Sequence, residues 1–133
     1  MSGLPFGSRG AAECPCGSGT TYDACCGRFH RGAEAAPTAQ ALMRSRYAAY
    51  AVDDLDYVFR TWHPRTRPEL PKQQPGTTWL ALEILDVVDG GRSDETGVVE
   101  FRAHYRDASG TDALHERSTF ARRAGRWFYV TAE

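Results

Sequence analysis

Val99-Glu100-Phe101-Arg102-Ala103-His104-Tyr105-Arg106 alternates without a break. Val99, Phe101, Ala103 and Tyr105 fall on one side, and Glu100, Arg102, His104 and Arg106 on the other. A period of two with one apolar and one charged side predicts an antiparallel strand that buries a single face. Upstream, Trp79 to Val88 reads as a second strand, with Leu80, Leu82 and Ile84 on one side, Trp79, Ala81, Leu85 and Val87 on the other, and both faces partly covered. Asp89-Gly90-Gly91 and the polar residues up to Gly97 make the turn between them. Downstream of Ser109-Gly110, a third strand places Leu114, Glu116, Ser118 and Phe120 on one face, and Ala124-Gly125 turns the chain into Trp127 to Thr131. A two-residue turn there pairs Arg123 with Arg126 and Phe120 with Tyr129. Glu116, Ser118, Phe120, Trp127, Tyr129 and Thr131 then share one face.

Ahead of the strands the period is helical. Thr38 follows Pro37 as an N-cap, and Ala39, Leu42, Met43, Arg46, Tyr47 and Tyr50 recur at three- and four-residue steps. Asp53 opens a second helix whose buried stripe is Leu55, Val58, Phe59 and Trp62, and Pro64 ends it at His63. Pro64 to Gly76, with four prolines, is a surface loop that either connects the two halves or covers a pocket. Helices followed by a strand meander predict an α+β domain with the sheet wrapped around the helices. Two charges intrude on its interior: Arg46 on the first helix face and Glu116 on the inner face of the third strand. A buried charge needs a partner, so the expectation is that Arg46 and Glu116 meet inside, with Ser118, Trp62 and Tyr50 nearby.

All four cysteines lie in Cys14-Pro15-Cys16-Gly17-Ser18-Gly19-Thr20-Thr21-Tyr22-Asp23-Ala24-Cys25-Cys26. Two close pairs on a glycine-rich turn can bring four sulfurs around one ion, the donor set of a closed tetrahedral zinc site. Disulfides are the competing use, but neighbours this close in sequence are poorly placed to bridge without strain. His30 is a possible substitute for Cys26, with a supporting role beside the metal, or a surface position, as the preferred reading. Gly27 to Pro37 reads as a linker.

Among 133 residues, sixteen basic and seventeen acidic side chains leave a net charge of -1, without the basic field that drives nucleic-acid binding. The glycine- and serine-rich first twelve residues read as a flexible tail rather than a signal peptide, and no apolar run approaches the ~20 residues of a membrane span. A cytoplasmic protein is expected, organised as a tail over 1–12, a zinc module over 13–32 and an α+β domain over 33–133.

The CPCGSG run, Tyr22 and Cys25-Cys26 resemble the SEC-C motif, a small zinc module; by that resemblance Cys14, Cys16, Cys25 and Cys26 are the ligands. Ala41-Leu42-Met43-Arg44-Ser45-Arg46-Tyr47, Thr61-Trp62-His63-Pro64, Val99-Glu100-Phe101, His115-Glu116-Arg117-Ser118 and Gly125-Arg126-Trp127 look like the YchJ-like (UPF0225) family of small bacterial proteins of uncharacterised function. That resemblance implies a SEC-C motif followed by a domain similar to nuclear transport factor 2: a cystatin-like cone with two helices on a curved four-stranded antiparallel sheet.

Two function classes follow. In the first, a non-catalytic protein uses its zinc module, through Tyr22, Arg28, Phe29 and Arg31, to bind a protein or the ribosome, as SEC-C modules do elsewhere. Four thiolates would leave the ion no open position for water, which makes it structural. In the second, an enzyme uses a pocket of Arg46, Tyr50, Trp62, Ser118 and Tyr129, with Glu116 or His63 as general acid or base and a small anionic substrate. Pairing with Arg46 would pull the Glu116 pKa down and weaken that second reading.

Overall fold

A computed structural model describes residues 10–73 and 75–133. Most of the expected N-terminal tail, residues 1–9, lies outside the described residues. Gly10 and Ala12 accept backbone hydrogen bonds from Asp23 and Tyr22. The elements are α1 (Cys26–His30), α2 (Ala39–Ala51), α3 (Leu55–Arg60), β1 (Thr78–Asp89), β2 (Thr96–Asp107), β3 (Gly110–Arg123) and β4 (Arg126–Ala132). The strands form one antiparallel sheet in the order β1-β2-β3-β4, with helices packed on its inner face.

Strand β2 is the sheet's backbone, and its alternation holds: Val99, Phe101 and Ala103 are buried. Arg123 pairs with Arg126 and Phe120 with Tyr129, the pairing that a two-residue Ala124-Gly125 turn dictates. Beyond that point the register slips. Tyr129 is opposite Phe120 but Thr131 is opposite Thr119, so Val130 is an extra, unpaired residue and Thr131 turns outward instead of joining the inner face. Strand β1 is corrected in the same way. Leu80 and Leu85 are the extra residues at two irregularities, which brings Trp79 onto the inner face with Leu82 and Ile84. Leu80 and Leu85 are exposed, so the outer face is not covered as expected; the second irregularity turns Val87 to the side of Val99, where it is still 40% exposed. Bulges bend a strand and increase its twist, which lets the sheet curl over α2.

Thr38 caps α2 by accepting from the Ala41 amide. Its expected face is buried except for the half-buried Tyr50, and so are three further residues: Ala48 packs in the cysteine cluster, Ala49 joins the main core, and Ser45 hydrogen-bonds the Tyr57 hydroxyl and His30. The N-terminus of α2 seats on the β1–β2 hairpin, where Ala39 N–H donates to Gly90 O at 2.9 Å. A Cβ on Gly97 would fall 2.5 Å from the Gly90 Cα, so this crossing excludes any side chain there.

Helix α3 starts one residue later than expected. Asp54, not Asp53, is its N-cap and accepts from the Tyr57 amide, while Asp53 takes a left-handed turn at φ 64°. The helix ends at Arg60 rather than His63, because the chain then pairs with β4: His63 N–H donates to Tyr129 O and Tyr129 N–H to Thr61 O. Tyr57 and Val58 are its buried residues. Phe59 is half-buried under the Arg67 guanidinium. The expected linker is partly helical too: α1 carries Phe29 into the main core at 5% exposure.

Candidate functional site

The first site is the cysteine cluster. Gly17 and Gly19, both at φ 84°, turn the chain between Cys16 and Cys25, and Cys14 N–H donates to Thr20 O at 2.9 Å. The Sγ atoms of Cys14, Cys16, Cys25 and Cys26 all lie within 4.8 Å of one another, with Cys16–Cys25 at 3.6 Å and Cys25–Cys26 at 4.0 Å. Four thiolates around a tetrahedral ion with metal–sulfur bonds of ~2.3 Å stand about 3.8 Å apart, so the cluster fits one ion. Hydrogen bonds from Cys14 and then Cys26 hold the Cys16 thiol well below its usual range. The reciprocal bond to Cys16 pushes Cys14 up to about 11, and bonds to Cys14 and Cys16 raise Cys26. Thiolates this close repel one another, so a bound cation is what would hold the four sulfurs together in their ligating form.

His30 is not among the cluster's donors. Both its nitrogens are occupied, Nε2 donating to Ser45 O at 2.8 Å and Nδ1 accepting from the Tyr22 hydroxyl, which sets the tautomer. Burial, above all, lowers its pKa. Together with Arg44 donating to Cys16 O and Arg60 to His30 O, this bond fastens the module to α2 and α3. Of the side chains expected to meet a partner, Phe29 is taken into the fold, while Arg28 and Arg31 stay at the surface. Phe29 is in the core, Arg28 lies over the Phe29 ring and pairs with Glu34, and Arg31 pairs with Asp23.

The second site is a cavity of about 410 Å³ between α2 and the sheet. Arg46, Tyr50, Trp62, Glu116, Ser118 and Tyr129 all line it, while His63 does not. His63 instead accepts from the Arg65 amide through Nδ1 and packs on Phe128. Trp79, Tyr47, Phe101 and Tyr105 complete the aromatic wall, with Lys72 and Thr77 from the end of the proline-rich loop. Trp79 was hidden from sequence reasoning by the β1 bulge, whereas the inward alternation of Phe101 and Tyr105 was visible.

The expected ion pair between Arg46 and Glu116 does not form. Arg46, 4% exposed, donates to Val58 O and Thr61 Oγ1, both at 2.8 Å, and its guanidinium lies 5.0 Å from the Trp62 ring and 4.6 Å from that of Tyr129. Neutral acceptors and two ring faces take the place of a carboxylate. Burial brings its pKa down to about 10, still charged at neutral pH. Glu116 has no cationic partner among the described residues: burial pushes its carboxyl up, and the Ser118 hydroxyl beside it opposes this in part. Without that pair, the Glu116 pKa is raised rather than lowered. Three buried polar atoms have no hydrogen-bond partner among the described residues: Trp62 Nε1, Trp79 Nε1 and Ser118 Oγ. All three side chains belong to the cavity wall.

No helix among the described residues is long and apolar enough to cross a membrane. Residues 38–132 match the family model described as the YchJ middle NTF2-like domain, and residues 12–28 match the SEC-C motif. A UPF0225 protein of Streptomyces coelicolor is 55% identical over 120 residues, covering 90% of this chain and 94% of the relative. One from Corynebacterium glutamicum is 47% identical over 122 residues, 91% and 96% of the two chains. The solution structure of a SEC-C motif containing protein from Rhodopseudomonas palustris superposes with a TM-score of 0.80 at 38% identity, over 90% of this chain and 96% of that one. A crystal structure of another from Psychrobacter arcticus gives 0.78 at 26%, over 92% and 82%. With its cysteine cluster docked on an NTF2-like fold and relatives matched over nearly their full length, the chain belongs to the UPF0225, YchJ-like family.

Proposed function

We propose that this protein is a zinc-stabilised binding protein whose site is the cavity between α2 and the sheet, where it takes up a small molecule. The observation that carries this reading is a cavity of about 410 Å³ with an aromatic wall that contains three buried polar atoms lacking a well-formed hydrogen bond. Buried polar groups in a folded protein are normally satisfied, and a pocket of this size with a few convergent polar groups is the usual form of a ligand site. Zinc is the ion proposed for the cysteines, since four sulfurs in a tetrahedral arrangement suit it and leave no position for substrate. Its role is to fold the module that braces α2 from behind. Docking to a protein or ribosome through that module draws less support, because Phe29 is buried in the main core rather than presented at the surface.

Native mass spectrometry of untagged protein, purified without added metal, tests this reading by comparison with the denatured mass. One zinc ion and one small molecule per chain, both released on denaturation, are expected. A chain carrying zinc alone, before and after incubation with a cell extract's small molecules, would count against the cavity as a binding site. Iron, or no metal with four free thiols, would remove the zinc assignment.

Catalysis is a second reading, favoured by Glu116, which has no cationic partner among the described residues and a pKa raised by burial, a direction suited to a general acid or base. If Glu116 turns a substrate over, the Glu116→Gln protein purified from cells carries a different bound mass from the wild type. The same mass in both supports binding alone.

A further inference from the structure

We propose that the cavity takes a planar organic anion of the aromatic carboxylate class, with its acceptor atoms set against the indole N–H groups of Trp62 and Trp79 and the hydroxyl of Ser118. This rests on the cavity being a small-molecule site and assigns the chemistry of what enters it.

The hydrogen-bonding groups left over are mostly donors. Trp62 Nε1 and Trp79 Nε1 can only donate, and Ser118 Oγ, on a residue with no solvent exposure, lies beside Glu116 and Tyr129 without a hydrogen bond of good geometry to either. The fold satisfies an indole elsewhere: Trp127 Nε1 donates to Pro37 O at 3.2 Å. The two unsatisfied indoles stand at opposite sides of the sheet, Trp79 on edge strand β1 and Trp62 against edge strand β4, with Ser118 on β3. A ligand that meets both must carry acceptors at more than one edge.

Charge selects the sign. Arg46 sits in the wall with no carboxylate partner, and Lys72 adds a second cation. Glu116 is the one carboxyl among the lining residues, and burial disfavours its ionised form. The cavity is therefore electropositive at neutral pH and favours an anion. Flatness follows from the walls, where Trp62 meets Tyr129 edge-on at 5.1 Å and Trp79 meets Tyr105 at 5.7 Å. Such rings favour a flat partner by stacked or edge-on contact.

The test uses the full-length, zinc-loaded, ¹⁵N-labelled protein and its three indole N–H signals, assigned by single Trp→Phe variants. The probe is 6-hydroxy-2-naphthoate; 2-naphthol and 2-naphthylmethylamine are its neutral and cationic counterparts. Expected are saturable shifts of the Trp62 and Trp79 signals with one common Kd, a stationary Trp127 signal, and binding of the amine at least tenfold weaker. Ser118→Ala, checked for folding by its melting curve, should weaken the naphthoate threefold or more. Equal or tighter binding of the amine or naphthol overturns the anion assignment and leaves the cavity as a ligand site. No indole shift with the naphthoate also overturns the assignment. If none of the three compounds moves either indole and the native mass shows zinc alone, the small-molecule reading falls with it.

Discussion

Glu116 opposes folding at neutral pH. Its carboxyl is half shielded on β3, and desolvation places its folded pKa above the unfolded value. Between those two values the folded state holds more proton than the unfolded one, so stability falls as pH rises through that window. Glu116→Gln is therefore expected to raise the melting midpoint at pH 7, with the gain vanishing near pH 3, where the wild-type carboxyl is protonated in both states. Thermal melts at the two values check it, and a variant less stable at pH 7 would show that the carboxylate has a favourable partner. Arg46 has the opposite character. Removing it as Arg46→Ala deprives Val58 O and Thr61 Oγ1 of their donor and opens a gap between two rings, a loss of about 3 kcal/mol measurable by urea denaturation. Both residues were conspicuous in the sequence as charges on apolar faces. Their separation was not, because Arg46 is satisfied by the carbonyl of Val58 and the hydroxyl of Thr61, and backbone acceptors carry no mark in a sequence.

At the scale of elements, α2 organises the molecule and the β1–β2 hairpin receives it. Thr38→Ala removes the cap at its first turn and should cost about 1 kcal/mol in the same denaturation measurement. Gly97→Ala should cost more, about 1–3 kcal/mol, since its Cβ meets backbone rather than a movable side chain. A Gly97→Ala protein as stable as the wild type would mean that α2 rides higher on the hairpin. The α2 cap and the Ala124-Gly125 hairpin were legible because caps and tight turns are written in a few adjacent residues. The bulges at Leu80, Leu85 and Val130 were not. Each arises from fitting a curved sheet over a helix, and an apolar residue in a bulge looks the same as one in a regular strand.

At the scale of the whole molecule, the cysteine module and the α+β domain share their packing. Phe29 lies in the main core, Ala48 of α2 lies in the cysteine cluster, and His30 joins the two through Ser45 O. Metal removal is therefore expected to lower the stability of the entire chain as one transition. Chelation followed by thermal melts, read by far-ultraviolet and near-ultraviolet dichroism together, checks this; a sheet that melts at its original temperature would show two independent units. By itself, the sequence determined the α+β class, the strand order through short antiparallel turns, and the four cysteines as one set able to hold a metal ion, since all of these follow from local spacing and period. Only the tertiary structure decided that the linker residues are core, that Arg46 and Glu116 stay apart, and that two indoles and a serine are left unsatisfied around one cavity. Those outcomes depend on which distant groups reach one another first, and a buried donor's partner is chosen by the packing of the whole chain.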